Sequence, residues 1–353
     1  MERTRQKGNG WRLGQLALAA SVVTVIAAML GSGAAAAVHA GYVHTAMKGS
    51  SAPALLTVHP SVRMETTMAY DAMDGYVVLF GGAAATGYEL SDTWTFVNGV
   101  WTKLMPTTHP AARESGTMVY DAKDGYAVLF GGFGTNSALS DTWTFVNGVW
   151  TKLTLTTHPS ARAEAMMTYD AYDGYVVLFG GITSSGNVLG DTWTFSGGTW
   201  TKVTPATPPA ARAAAVITYD AYDDYVVMFG GTNTAGTELA GIYAFSAGSW
   251  SKLTTMNSPG ARDSAVMAYS PGTASSVLFG GCTAKSCPLA DTWSYDTAKW
   301  KHLTPTISPP ARESAAMVYD GADGYLLLFG GTAGGMNLFG DTWALAHGTW
   351  AQL

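Results

Sequence analysis

Five carboxylates stand within two positions of a recurring arginine: Glu65 after Arg63, Glu114 after Arg113, Glu164 after Arg162, Asp263 after Arg262 and Glu313 after Arg312. A sixth arginine, Arg212, is followed instead by Ala213, Ala214 and Ala215. Acids brought together in this way can exchange protons with a substrate. As a ring of like charge they can attract a cation, or a Lys or Arg of a partner. They can also simply pair with the arginines of neighbouring units. His59, His109 and His158 each precede a proline just ahead of an arginine, a placement that suits a metal or a pH sensor as well as an ordinary loop residue. Cys282 and Cys287 are the chain's two cysteines, and five residues apart they would close a small loop disulfide in an oxidising compartment. With no second pair and no histidine near them in sequence, no zinc site is expected.

What positions these groups is an internal repeat. The six arginines recur every 49 or 50 residues, a period that belongs to propellers rather than to helical solenoids. Each copy holds four short strand candidates, as in "GTMVY", "YAVLF", "DTWTF" and "WTKL", separated by Gly, Asn, Asp, Pro and Ser. The second is apolar at consecutive positions, the pattern of a strand buried on both faces. "DG" in "AKDGY" predicts a tight turn between the first two strands, so the carboxylates of "YDAMDGYVVLFGG" are read as turn formers.

A glycine pair ends each apolar strand (81/82, 131/132, 180/181, 230/231, 280/281 and 330/331). An aromatic and a tryptophan seven apart follow it, from Trp94/Trp101 to Trp343/Trp350. In this the chain resembles the kelch repeat over residues 60–353. The resemblance implies an all-β fold, a six-bladed β-propeller of four-stranded blades around a central channel. Copy four departs from the pattern, reading Gly241-Ile242-Tyr243 where the others have Asp-Thr-Trp. Each copy is expected to supply a complete blade, with residues 53–62 lying against blade six to close the ring.

In a repeat array, function is expected where the copies differ. The loops between second and third strands have near-equal lengths but different residues, which nominates Tyr88, Phe133, Asn136, Asn187, Asn233, Lys285 and Asn337 as binding positions. The acids, with Arg63, Arg113, Arg162, Arg212, Arg262 and Arg312, are expected at the channel mouth. Kelch-like copper radical oxidases and six-bladed sugar-acid epimerases are similar in blade pattern. The oxidases' clustered His and Tyr ligands and Tyr-Cys crosslink are not legible here, so no catalytic residue, metal or cofactor is assigned.

Residues 1–40 read as a signal peptide or a transmembrane anchor: basic residues precede a run without Asp, Glu, Lys or Arg from position 13 to Lys48, long enough to cross ~30 Å of hydrocarbon. "AVHA", ending at Ala40, offers a cleavage site. Residues 41–59 would be a linker. The formal charge of -6, reached despite a basic N-terminus, argues against nucleic acid as a partner. The expected function is therefore an extracytoplasmic module, anchored or secreted, that binds a protein or glycan at the cell envelope. The alternative is a carbohydrate-active enzyme, epimerase-like or oxidase-like, with its site at the channel mouth.

Overall fold

The computed structural model describes residues 59–353. The assigned N-terminal segment, the linker up to residue 58 and residues 53–58 of the expected closing segment lie outside the described residues. Among the described residues no helix is long and apolar enough to cross a membrane.

Six antiparallel sheets of four strands each form the six blades, and every blade comes from one copy of the repeat. In blade one the strands are Thr67–Asp71, Tyr76–Phe80, Thr93–Val97 and Val100–Leu104, paired in that order with Thr67 opposite Phe80 and Thr93 opposite Leu104. Blade six repeats the order with Ala316–Asp320, Tyr325–Phe329, Thr342–Ala346 and Thr349–Gln352. First strands of successive blades are neighbours, including those of blades one and six, so they surround the channel. Second strands are buried from their second residue onward, as Val77, Val78, Leu79 and Phe80 show, because a blade covers each of their faces.

The seams between blades are aromatic. The fourth-strand tryptophan packs on the second-strand phenylalanine of the preceding blade and, in blades one to five, on the phenylalanine or tyrosine of its own third strand, a place that Leu345 takes in blade six. Trp150, for instance, lies 4.8 Å from Phe145 and 5.1 Å from Phe80 between ring centroids. In every blade but the fifth its indole N–H donates back across the seam to a threonine hydroxyl, Thr93 for Trp150 at 2.9 Å. Trp101 makes the same joint to blade six, 5.2 Å from Phe329 and 3.0 Å from Thr342 Oγ1, so the ring closes by the joint it uses elsewhere. Such aromatic pairs contribute about 0.5–1.5 kcal/mol beyond the area they bury.

The glycine pair is required by close approach. A Cβ on Gly81 would sit 2.6 Å from the carbonyl oxygen of Arg113 in the next blade, and one on Gly82 2.7 Å from that of Met64. Gly82 N–H donates to that same Arg113 carbonyl at 2.9 Å, and Gly331 N–H donates to Arg63 carbonyl at 2.9 Å to make the equivalent link from blade six to blade one. Val62 packs on Gly340 of blade six.

The turn aspartates are architectural. Asp71 Oδ1 accepts the N–H groups of Met73 and Asp74, and Asp74 accepts the Tyr76 hydroxyl. Burial raises the Asp71 carboxyl above the ordinary aspartate value, against the pull of those two backbone donors.

Candidate functional site: the acidic loop face

Alternation of strand direction places the loops between second and third strands, and the links that carry the arginines, at one end of the channel. The hairpin turns lie at the other. At the loop end the second residue after each arginine adopts a left-handed conformation without being glycine: Glu65, Ser115, Glu164, Ala214, Ser264 and Ser314, with φ between 50° and 56°. Such residues cost about 1 kcal/mol or more each unless their surroundings hold them. Here each donates its N–H to the carbonyl of its counterpart one blade back. Ser115 bonds Glu65, Glu164 bonds Ser115, Ala214 bonds Glu164, Ser264 bonds Ala214, Ser314 bonds Ser264 and Glu65 bonds Ser314, at 2.8–3.2 Å. The bonds form a closed circle around the mouth.

Glu65 and Glu164 stand on this circle, and the Ser115 hydroxyl donates to Glu65 Oε2. Glu114, Asp263 and Glu313 sit one residue earlier, just outside it. Burial, then Glu65, Glu89 and Glu164, push the Glu114 carboxyl up to about 7. Loss of hydration, then Glu65 and Asp263, push Glu164 up to about 7. Asp263 and Glu313 are raised as well, by burial first and then by neighbouring acids. The mouth is therefore short of cations, and a cation bound there would favour release of the protons that Glu114 and Glu164 take up near neutrality.

The arginines do not balance this charge, contrary to their expected place at the mouth. Arg63, Arg113, Arg162, Arg212, Arg262 and Arg312 are buried inside their own blades, 3 % exposed or less. Five of them grip the aspartate that opens the third strand. Arg63 Nη1 and Nη2 donate to Asp92 Oδ1 and Oδ2 at 2.7 and 2.9 Å, and Nη1 also donates to Gly81 carbonyl at 3.0 Å. Asp141, Asp191, Asp291 and Asp341 serve Arg113, Arg162, Arg262 and Arg312 likewise. Burial alone would raise these carboxyls, but the guanidinium outweighs it and holds Asp92 and its counterparts below the ordinary range. In blade four Gly241 stands where the aspartate would be, and Arg212 keeps only the two carbonyl bonds that the other arginines also make, to Ala210 and Gly230, with the Tyr243 ring 4.9 Å from Cζ.

The loops lean into the mouth because each begins with a bridge to the residue that follows the arginine. Glu114 and Phe133 exchange both backbone bonds, as do Asp263 and Cys282 and Glu313 and Thr332. The structure thus brings Phe133, half-buried, beside Glu114, and sets Tyr88, Asn136, Asn187, Lys285 and Asn337 exposed on the surrounding crown. Asn233 is a turn former: its Oδ1 accepts the N–H groups of Ala235 and Thr237. Neighbouring loops touch, with Ala138 N–H donating to Ser184 Oγ at 2.7 Å. Cys282 and Cys287 are joined in a disulfide within the blade-five loop. The three histidines are not gathered: each Nδ1–H donates to the carbonyl of the proline that follows it, Pro60, Pro110 or Pro159.

Sequence reasoning missed the other end of the channel. There Tyr70, Tyr120, Tyr169, Tyr219, Tyr269 and Tyr319 line a cavity of about 380 Å³. Burial and then Asp71 push the Tyr120 hydroxyl up to about 12. Met68, Met118, Met167, Ile217, Met267 and Met317 line both this cavity and the next one along, and form the waist of the channel. The signal was present: a tyrosine closes the first strand of every copy at fixed phase.

Six blades, their aromatic seams and the repeated arginine clamp define one kind of propeller. The model of the KLHDC2/KLHL20/DRC7 Kelch-repeats domain matches residues 39–231 and 171–353. The chain belongs to this kelch-repeat family. Kelch propellers typically serve as protein-interaction scaffolds. Among solved structures, the one titled "Structure of YjhT" is similar at 16% identity and a TM-score of 0.65, covering 84% of this kelch chain and 98% of that chain, a likeness of fold. No curated protein matches the kelch chain in sequence.

Proposed function

We propose that this kelch propeller is an extracytoplasmic interaction module whose loop face binds a protein segment that carries lysine or arginine. The observation behind this reading is that acids and variable loops form one surface, since the bridge between Glu114 and Phe133 joins them directly. A cationic side chain entering the mouth would meet Glu65, Glu114 and Glu164 together, and the exposed Tyr88 and Asn residues around it supply contact area. The basic-then-apolar N-terminus supports a place outside the cytoplasm.

The test uses the full chain, immobilised and probed with Lys- and Arg-bearing peptides, with neutral isosteres of those peptides, and with neutral and acidic glycans. Capture of the basic peptides that weakens with salt, and that falls tenfold or more in Glu65→Gln/Glu114→Gln/Glu164→Gln, is expected. Capture of glycans with no preference among the peptides, or binding untouched by the triple substitution, would overturn the reading.

Two carboxyls poised near neutrality also suit acid/base chemistry, and that favours a second reading, turnover of a sugar acid at the mouth. Loss of such turnover in Glu114→Gln, with folding intact, would support it; no turnover on a panel of sugar acids would remove it.

A further inference from the structure

We infer that the loop of blade five is a redox-gated site for a thiophilic divalent metal, open when the Cys282–Cys287 disulfide is reduced, with Glu313 of blade six as third ligand.

The three donors meet across a seam between blades. Cys282 Sγ lies 3.0 Å from Glu313 Oε2, and one donor atom from each of Cys282, Cys287 and Glu313 falls within 4.8 Å of the other two. Two thiolates and a carboxylate on a tetrahedral Zn²⁺ at about 2.3 and 2.0–2.2 Å would stand about 3.5–3.8 Å apart. Breaking the S–S bond lets the sulfurs part to that separation, with the carboxylate already beside one of them.

Backbone bonds, rather than the disulfide, hold the donors in place. Thr283 and Ser286 exchange both N–H···O bonds, at 3.0 and 3.1 Å, which folds the loop so that the flanking cysteines face each other. Cys282 is fixed by its paired bonds to Asp263, at 2.9 and 3.1 Å, and Glu313 by its paired bonds to Thr332, at 2.9 and 3.1 Å. Reduction removes a covalent bond from this arrangement without removing any of these.

The chemistry balances with a dithiol reductant. Its thiolate attacks the exposed Cys287 sulfur, the S–S bond breaks and Cys282 leaves as a thiolate. The reductant's second thiol then displaces Cys287, so the reductant is oxidised to a disulfide and the protein gains two electrons and two protons. Metal binding afterwards displaces both thiol protons. Cys287 is exposed and Cys282 is buried, which sets this order of attack.

The experiment titrates Cd²⁺ into the full chain, oxidised or reduced with a phosphine and freed of it under argon, and reads thiolate-to-metal charge-transfer absorption. The chain's two cysteines are this pair, so a thiolate band reports on this site. Expected are one Cd²⁺ per reduced chain, no band in the oxidised chain, loss of the band in Cys287→Ser, and affinity at least tenfold weaker in Glu313→Gln. Near-ultraviolet circular dichroism follows the fold in each sample. A reduced chain that keeps its fold and gives no band would overturn the inference, as would loss of the fold on reduction or a Glu313→Gln variant that binds as tightly as the parent.

Discussion

The indole N–H of Trp300 has no hydrogen-bond partner, and the residue packed with it across the seam is Ile242, where the other blades present a threonine. Trp101, Trp150, Trp200, Trp250 and Trp350 donate to Thr342, Thr93, Thr142, Thr192 and Thr292 at 2.9–3.1 Å. One departure from the repeat, Gly241-Ile242-Tyr243, therefore strips two partners at once: the acceptor of Trp300 and the carboxylate of Arg212. Blade four and its seam with blade five are the weak sector of the ring.

Trp250→Phe and Trp300→Phe remove similar buried area, but only the first breaks a bond and leaves a buried hydroxyl without its donor. An unsatisfied buried group costs about 1–3 kcal/mol. Trp300→Phe should be the milder change by about 1–2 kcal/mol, read from urea midpoints at unchanged m-value.

Gly241→Asp with Tyr243→Trp should rebuild the clamp on Arg212. A Cβ on Gly241 would lie 2.8 Å from Tyr243 Cε2, so the aspartate needs the second substitution to fit. A hydrogen bond to a charged group is worth about 1.5–3 kcal/mol, and the double variant should unfold at higher urea than the parent, while Gly241→Asp alone gains less. An unchanged midpoint in the double variant would show that the Tyr243 ring already satisfies the guanidinium.

Stability should depend on pH with two opposite signs. Glu114, raised from 4.5 to about 7, binds its proton more tightly folded than unfolded, so the folded state gains as pH falls from 7 towards 4.5 and pays a penalty above 7. The clamp aspartates are lowered, so their contribution is present above the ordinary aspartate value and is lost as pH falls through their depressed values. Melting temperature should peak in mild acid, and Glu114→Gln/Glu164→Gln should flatten the slope between about pH 5 and 8. An unaltered slope in that variant would assign the dependence elsewhere.

Binding should run the other way. As the mouth carboxyls take up protons below about 7, affinity for a basic peptide should fall between pH 8 and pH 5.5, and by less in the Gln variant. Calorimetry in buffers of different ionisation enthalpy should show proton release on binding at pH 7. Binding without proton release would place the peptide away from Glu114 and Glu164.

Period, glycine pairs and tryptophan spacing carried the fold in sequence, because each is a contact made identically in every blade. The depth of the arginines is not legible in sequence: Asp92 lies 29 residues beyond Arg63, and only the strand order shows that the two meet. Copy four held the clue, since it alone lacks that aspartate. Glu313 beside Cys282 was beyond reach, because the contact joins two copies, and only the folded link from Gly281 N–H to the Arg312 carbonyl brings the residues that follow them together. The tyrosine end is invisible as a site in sequence because a residue repeated in every copy has the signature of architecture, and only the ring of first strands gathers the six side chains around one cavity.

The circle of peptide bonds from Glu65 through Ser314 has one more effect. Every N–H points to the blade behind it, so the six bonds run head to tail around the rim and leave none of these N–H groups free to meet a ligand. A helix terminus presents unpaired N–H groups to whatever it faces; this rim turns its own onto neighbouring carbonyls. Potential at the entrance is therefore written by side chains, and exchange of an acid for an amide or a lysine there would redraw it while the scaffold beneath stays neutral and unchanged.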